Sequence, residues 1–267
     1  MRALIGFFSR LGFLALLGLG AFWVVDTYAP DRHVPWKPID LTEPPGAATP
    51  IQVRRLQDDR AACIQALREA GVEAVPAEDF TEGEFCAVRN AVIIKGGLTP
   101  LSPSNLEMSC PLAAAYVLWD RQVLQPAARE IMGSEVDRVT SFGTYSCRRL
   151  YGKEDERPSE HAFANALDIG AIRLKDGREI SVKDGWLKVG PEADFLRRLR
   201  DGGCEVFGTV LSPDYNEAHH DHLHMDMGQW DFCPLGPATP KEPATPDAKA
   251  DKGSDAADKA PLTKTSV

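Results

Sequence analysis

The longest apolar run in the chain lies near its N-terminus. Residues 11–25 include no polar or charged side chain, Arg2 and Arg10 precede them, and Asp26 follows. A run that is apolar on every side suits a bilayer better than the surface of a globular domain. The basic residues before it place the N-terminus in the cytoplasm. The run is short for a membrane span, but no small-x-small cleavage site follows it. Residues 1–28 are therefore predicted to be an uncleaved signal anchor, with a removed signal peptide as the alternative.

The pattern changes again at residue 29 and after residue 236. Six prolines between Pro30 and Pro50 predict an extended spacer over residues 29–52. Residues 237–267 contain no aromatic side chain and are rich in Ala, Pro, Thr and Asp, which predicts a disordered tail. The folded domain is expected over residues 53–236.

Helical and strand periods are mixed within this domain. Apolar residues recur three and four apart in some stretches and alternate in others. Ser109 is a candidate helix cap, and Asp176-Gly177 is typical of a hairpin turn. The pattern predicts an α+β domain, a small antiparallel sheet with flanking helices. Helices are predicted at 53–70, 111–132 and 191–200, and strands at 87–95, 136–148, 167–172, 179–182, 204–210 and 221–227.

Composition narrows the functions open to the domain. A net charge of −9 argues against nucleic acid as a partner, because phosphates attract a basic surface. Six cysteines without a CxxC pair predict three disulfides and an oxidising compartment. Their pairing stays open. Cys63 with Cys86 would tie the first helix to the following strand, and Cys204 with Cys233 would stiffen the strand between them.

Candidate metal ligands are concentrated in residues 159–170 and 219–228. These two segments hold five of the six histidines and Asp168. Two imidazoles with one carboxylate suit a catalytic zinc ion (Zn2+), which keeps its fourth position for water. The predicted ligands are His161, Asp168 and His224.

Strand alternation predicts where the neighbouring side chains lie. If residues 221–227 form a strand, His222 shares a face with His224, and the opposite face carries Asp221, Met225 and Met227. His161 and Asp168 have opposite parity, so both reach one ion only if a turn at residues 163–165 separates them.

The two histidine segments resemble a known zinc signature. They are similar to the LAS metallopeptidases, which include lysostaphin-type endopeptidases, D-alanyl-D-alanine carboxypeptidases and hedgehog signalling domains. The extensin-like C-terminal domain family, a branch similar to that group, resembles the chain more closely over roughly residues 60 to 234. The matching motifs are TYSCR (144–148), SEHAFANALDI (159–169), VFGTVLSPDYNEAHHDHLHMD (206–226) and the late Cys233.

Ala164 departs from this resemblance, since such proteins usually have Gly there. If the position requires positive φ, Ala costs of order 1 kcal/mol. The alternative is a turn built differently in this chain.

The resemblance implies a LAS-like fold stapled by disulfides and a zinc peptidase acting on peptidoglycan peptides in the periplasm. Residues 1–28 would anchor it to the inner membrane. Whether it is an endopeptidase or a carboxypeptidase, and its oligomeric state, stay open. Alternation and resemblance together make His222 the first choice for the base. Asp221 matches a glutamate base of related carboxypeptidases, and His219 has a counterpart in the endopeptidases. Arg148 is the candidate to stabilise the oxyanion, and Asp226 could orient a ligand.

Two other functions remain open at this stage. The alternation of histidine and methionine over residues 222–227 is compatible with a periplasmic copper-binding module. A LAS-like domain could also bind cell-wall peptides without cleaving them. An intact ligand set together with a candidate base favours the enzyme.

Overall fold

The computed structural model describes residues 2–228 and 232–234. The predicted tail, residues 237–267, lies outside the described residues. Helices and strands follow one another in separate runs and the sheets are mainly antiparallel, and this confirms the α+β class. The helices are α1 (Arg2–Tyr28), α2 (Thr49–Arg55), α3 (Arg60–Glu69), α4 (Cys110–Trp119), α5 (Gln125–Ala127), α6 (Val182–Gly185) and α7 (Pro191–Gly203). The strands are β1 (Glu73–Pro76), β2 (Phe80–Glu82), β3 (Cys86–Val88), β4 (Val92–Gly96), β5 (Leu101–Ser102), β6 (Val136–Gly143), β7 (Ala166–Leu174), β8 (Glu179–Ser181), β9 (Thr209–Leu211) and β10 (Leu223–Asp226).

The largest sheet carries the histidine segments. Its strand order is β5-β6-β7-β10-β9, and β8 pairs with the second half of β7 through the predicted hairpin. All pairs are antiparallel except β5 with β6. β1 with β4 and β2 with β3 form separate two-stranded sheets. The predicted strand at 87–95 is divided into β3 and β4, because Asn90 between them adopts a left-handed φ of +52°.

Helix α4 forms the centre of the core. Ser109 caps it as predicted, since its Oγ accepts a hydrogen bond from the amide of Leu112 at 3.2 Å. All ten residues of α4 are buried, as expected for a helix that is apolar all round. The helical path continues through two π turns to Met132 and ends at Gly133, which is left-handed. The helix predicted at 53–70 is instead divided into α2 and α3, and Asp59 caps α3.

The proline-rich segment packs on the domain and is not an extended spacer. Ile39 and Leu41 lie in the main hydrophobic core. The side-chain amide of Gln52 donates to the carbonyls of Asp31 and Val34 at 2.8 and 3.1 Å. The apolar residues between the prolines explain this packing, because their side chains are buried in the hydrophobic core of the domain.

Helix α1 is the element that the apolar run predicted. Residues Arg10–Tyr28 are long and apolar enough to cross a membrane, with a mean hydropathy of 1.6, and none of that window is buried in the protein. Length and composition alone support this, so the anchoring role stays a prediction.

Three disulfides staple the domain, as the cysteine count predicted. Cys204 pairs with Cys233 as expected. The pairing of Cys63 with Cys86 was wrong. Cys63 instead joins the start of α4, and Cys86 joins the loop after β6. Pairing of Cys63 with Cys86 assumes that cysteines close in sequence pair, whereas the fold brings more distant segments against both cysteines. The full pairs are Cys63–Cys110, Cys86–Cys147 and Cys204–Cys233. This arrangement fits an extracytoplasmic location.

Candidate metal centre

A tight turn brings His161 back to the start of β7. The 3-10 turn Glu160–Phe163 is capped by Ser159, whose Oγ accepts from the amide of His161 at 3.3 Å. Ala164 closes the turn with φ +51° and ψ +33°, in the left-handed region. The predicted turn between His161 and Asp168 is therefore present. The alternative of a differently built turn does not hold, because Ala164 itself adopts the left-handed conformation.

Three side chains converge on one face of the sheet. Asp168 of β7 and His224 of β10 are direct partners across the antiparallel pair. His224 Nδ1 lies 2.8 Å from Asp168 Oδ1, and His161 Nε2 lies 3.1 Å from Asp168 Oδ2. The two ring nitrogens are 3.3 Å apart, and all three residues are buried. The structure thus brings together the three residues that were predicted to bind a metal.

The spacing of these atoms fits a tetrahedral zinc ion. Ligand atoms at roughly 2.1 Å from zinc lie roughly 3.4 Å from one another when the angles are tetrahedral. The nitrogen and oxygen atoms of the cluster lie 2.8 to 3.3 Å apart, slightly closer than this, so only small outward shifts are required. Two imidazoles and one carboxylate also leave the fourth position for water or substrate. Zinc binding itself stays a prediction.

The protein also holds the second ring nitrogen of each of the two candidate histidine ligands. His161 Nδ1 lies 3.1 Å from the carbonyl oxygen of Thr144, which only accepts, so Nδ1 donates to it and Nε2 points at Asp168. His224 Nε2 lies 3.0 Å from Asp226 Oδ2, and the other oxygen of Asp226 accepts from the amide of Gly228 at 2.8 Å. Asp226 thus orients His224 with Nδ1 towards the cluster, as metal-binding histidines are commonly oriented.

The charges of the cluster support one another. Burial by itself raises the pKa of Asp168, but hydrogen bonds from His161 and His224 and their charges outweigh it and hold that pKa well below its usual range. Burial lowers the pKa of His224, but hydrogen bonds and charges from Asp168 and Asp226 raise it to about 9. The site is therefore suited to one positive charge between two carboxylates. A metal that binds His224 Nδ1 must displace a proton.

His222 lies beside the cluster, on the side that alternation predicted. Its Nε2 is 3.7 Å from Asp168 Oδ1, and its Nδ1 is 2.8 Å from Asp221 Oδ1. Asp221 lies in the turn before β10, and β10 pairs with β7 without a bulge. The carboxylate of Asp221 faces His222 and not the cluster. Its geometry suits a residue that orients His222, and it does not support Asp221 as the base.

His219 forms the next part of the wall. Its Nδ1 lies 2.7 Å from Asn216 Oδ1, and its ring centroid lies 5.2 Å from that of His222 and 5.8 Å from that of His224. Burial and the positive charges of His224 and His222 lower the pKa of His219 to about 4. His219 is therefore neutral near pH 7. His220, by contrast, is exposed and contacts the carbonyl of Glu217.

A pocket of about 360 Å³ opens beside the histidines. Arg148, the predicted oxyanion residue, is exposed and lines it. Sequence reasoning missed the aromatic part of the wall, which three different loops supply. No spacing could have indicated these residues, since they come together only through the fold: Tyr151, Tyr215 and Phe232.

The opposite face of β10 belongs to the core. Met225 is fully buried and Met227 nearly so, and both pack in the main hydrophobic cluster. Neither thioether faces the histidines, so these methionines do not complete the mixed ligand set that the copper hypothesis required.

The family model described as extensin-like protein C-terminus matches residues 61–234, more than half of the chain. A search of the curated proteins and a search of the solved structures find no match.

Proposed function

The chain belongs to the extensin-like protein C-terminus family, and we propose that it is a zinc-dependent peptidase that hydrolyses peptide bonds of peptidoglycan outside the cytoplasmic membrane. The observation that carries the proposal is the buried cluster of His161, Asp168 and His224. Its ligand atoms lie 2.8 to 3.3 Å apart. A metal site of this kind needs two imidazoles held in fixed orientations towards one carboxylate, and the cluster has this arrangement.

Each neighbouring side chain has a distinct part in the proposed reaction. A zinc ion held by these three residues would supply a Lewis acid for the substrate carbonyl and would lower the pKa of water bound there towards about 7. His222 Nε2 faces the cluster and accepts the proton of the attacking water. Asp221 fixes the His222 ring by holding Nδ1–H. The guanidinium of Arg148 at the pocket stabilises the negative oxygen that develops on the carbonyl.

The substrate class rests on resemblance and compartment. The two histidine motifs are similar to those of LAS peptidases, which act on peptides of the bacterial cell wall. The apolar helix α1 and the three disulfides are consistent with a protein held at the outer face of an inner membrane. We therefore place peptidoglycan peptides first among possible substrates, in the periplasm.

The test uses the full chain purified in detergent. It is incubated with purified muropeptides as isolated, with a chelator, and with zinc restored after chelation, and the products are identified by mass. We expect shortened or separated stem peptides that disappear with chelator and return with zinc. Metal analysis should give one zinc per chain.

A matched variant controls for the loss of any histidine from the same loop. His220→Ala removes an exposed histidine that contacts Glu217 and, at 3.7 Å, the carboxylate of Asp221, and it should retain zinc and hydrolysis. Muropeptides that bind the zinc-loaded protein but remain intact would favour a binding domain. Hydrolysis that survives complete removal of metal would refute the zinc mechanism.

A further inference from the structure

Phe142 is an aromatic side chain left in solvent beside the cluster. It is 58% exposed and belongs to neither hydrophobic cluster of the described residues. Its ring centroid lies 5.7 Å from that of His222, with the planes at 67°. A single exposed apolar side chain is common on protein surfaces and needs no explanation. Two backbone features, however, hold this ring against the site.

The first feature is Gly170 on β7. A Cβ at this position would lie 2.6 Å from both Cε1 and Cζ of Phe142, much closer than real contacts. The ring therefore lies directly on the backbone of Gly170, which requires a residue without a side chain. Gly170 and Asp168 are two apart on β7 and share a face. Phe142 thus occupies the same face as the candidate metal ligands.

The second feature is an irregularity in β6. The register between β6 and β7 shifts on both sides of Ser141. Gly143 has φ +120°, and its amide donates to Ser141 Oγ at 2.9 Å. Bulges of this kind are common next to active sites, where they redirect one side chain. Here the redirected segment carries Phe142.

The order of the strands places the cluster between two unlike surfaces. Phe142 comes from β6, on one flank of Asp168, and covers Gly170. On the other flank, His224 is paired with Leu211 of β9. Leu211 lines the pocket that also contains Arg148. A chain that crosses the cluster from β6 to β9 meets the ring of Phe142 first and last a pocket where the aromatic rings of the wall lie beside Arg148.

We propose that Phe142 is a specificity-determining residue that binds an apolar side chain of the substrate on one side of the cleaved bond only. The pocket that contains Arg148 receives the other side. This inference rests on the proposed peptidase function and adds to it a preference for an apolar over a hydroxylated side chain at the position next to His222. The edge of a phenyl ring provides contacts for a methyl group and no hydrogen bond for a hydroxyl.

The experiment compares methyl with hydroxymethyl groups. Synthetic peptides with muropeptide stem sequences carry alanine or serine at each alanine position in turn. Both kcat and KM are measured with the zinc-loaded protein, and calorimetry measures Kd for the same peptides whether or not they are cleaved. In the wild type, serine at one position should raise KM and Kd about tenfold, the lower end for one apolar group in a pocket. In Phe142→Ala the alanine peptide should bind about tenfold more weakly, and the difference between alanine and serine should vanish.

Three further variants separate this role from a structural one. Phe142→Leu keeps an apolar side chain without a hydrogen-bonding group and should keep the preference. Gly170→Ala displaces the ring and should lose the preference as Phe142→Ala does. Leu187→Ala removes another exposed apolar side chain, 70% exposed and not part of the pocket, and should change neither constant. Zinc content is measured for each variant, since Gly170 lies close to Asp168.

The outcomes distinguish this inference from the proposed function. An alanine preference that persists unchanged in Phe142→Ala would overturn the inference while leaving the peptidase intact. A fall in kcat alone, with KM and Kd unchanged, would overturn it too, because Phe142 would then act only through His222. If the wild type cleaves no peptide, the proposed function fails, and the Kd values still decide whether Phe142 binds the apolar group.

Discussion

Two pairs of histidines lie in and around the candidate metal site, and the protein holds them differently. The inner pair, His161 and His224, is buried against the sheet. Each inner ring donates a hydrogen bond from its second nitrogen to an acceptor that is itself fixed. The acceptor is the backbone carbonyl of Thr144 for His161 and the carboxylate of Asp226 for His224. Asp226 is in turn held by the amide of Gly228. The inner pair is therefore set in place before any ligand arrives.

The outer pair, His219 and His222, is held by its own loop. Asn216 contacts His219, and Asp221 contacts His222, in each case from within three residues along the chain. Both outer rings line the open pocket. Local contacts of this kind orient a ring and still permit it to exchange protons with bound molecules. The difference suggests metal binding for the inner pair and proton transfer for the outer pair.

Asp168→Ala has the largest expected effect. It tests the inner group, which is the inner pair of histidines together with Asp168. The substitution removes the carboxylate that both inner histidines contact, so we expect loss of stoichiometric zinc and of muropeptide hydrolysis together. Metal analysis after dialysis and a product assay measure the two losses. Asp184→Ala, an exposed aspartate, serves as control and should retain both. One zinc per chain in Asp168→Ala would contradict the assignment of the inner group.

His222→Ala tests the outer group. It should retain zinc, because the inner ligands are unchanged, and it should lower kcat by about 10²–10⁴-fold, the usual contribution of a general base. Asp221→Asn should lower kcat less, since the ring remains but loses its charged partner. Unchanged hydrolysis in His222→Ala, or loss of zinc together with activity, would remove the distinction between the two groups.

Sequence reasoning identified the inner group better than its surroundings. The ligand positions followed from residue chemistry, and the faces of His222, Met225 and Met227 followed from strand alternation, which is a local rule. The turn at residues 163–165 followed from parity alone. The faces and the turn depend on residues close to one another in the chain, and the ligand positions were recognised within each histidine segment separately.

Features that depend on long-range packing were not predictable. Cys63 pairs with Cys110 because α3 packs beside α4, a contact that no spacing encodes. The ring of Phe142 lies on Gly170 only because β6 and β7 pair in a shifted register. The apolar residues between the prolines are buried in the main hydrophobic core, so the segment predicted as a spacer packs as part of the domain.

The pH dependence of the metal-free protein gives a sharper test of the inner pair. The pKa of His224 is raised from 6.5 to about 9 in the folded protein. A raised pKa in the folded state contributes stability that is fully present below the unfolded pKa and is lost as pH rises through the folded one. At about 1.4 kcal/mol per pKa unit, the free energy of unfolding should fall by on the order of 3 kcal/mol over this window.

Denaturant unfolding with chelator, across this pH range, measures that fall. With zinc bound the ion replaces the proton of His224, so the fall should be absent. Asp226→Asn lowers the folded pKa of His224, so in that variant the fall of the metal-free protein should be smaller. Equal slopes with and without zinc would contradict the view that metal and proton compete for the inner pair.

The smallest expected effect concerns the turn that positions His161. Ala164→Gly relieves the left-handed strain, about 1 kcal/mol, but it also removes a fully buried methyl group, about 0.8 kcal/mol, and frees the unfolded chain by about 0.4–1 kcal/mol. The terms nearly cancel, so we expect a destabilisation below about 1 kcal/mol in denaturant unfolding. Ala162→Gly, in the same turn and equally buried but not left-handed, has no strain to relieve and should cost about 1 kcal/mol more. Equal losses in the two variants would indicate that Ala164 stores no strain and that the turn holds His161 without cost.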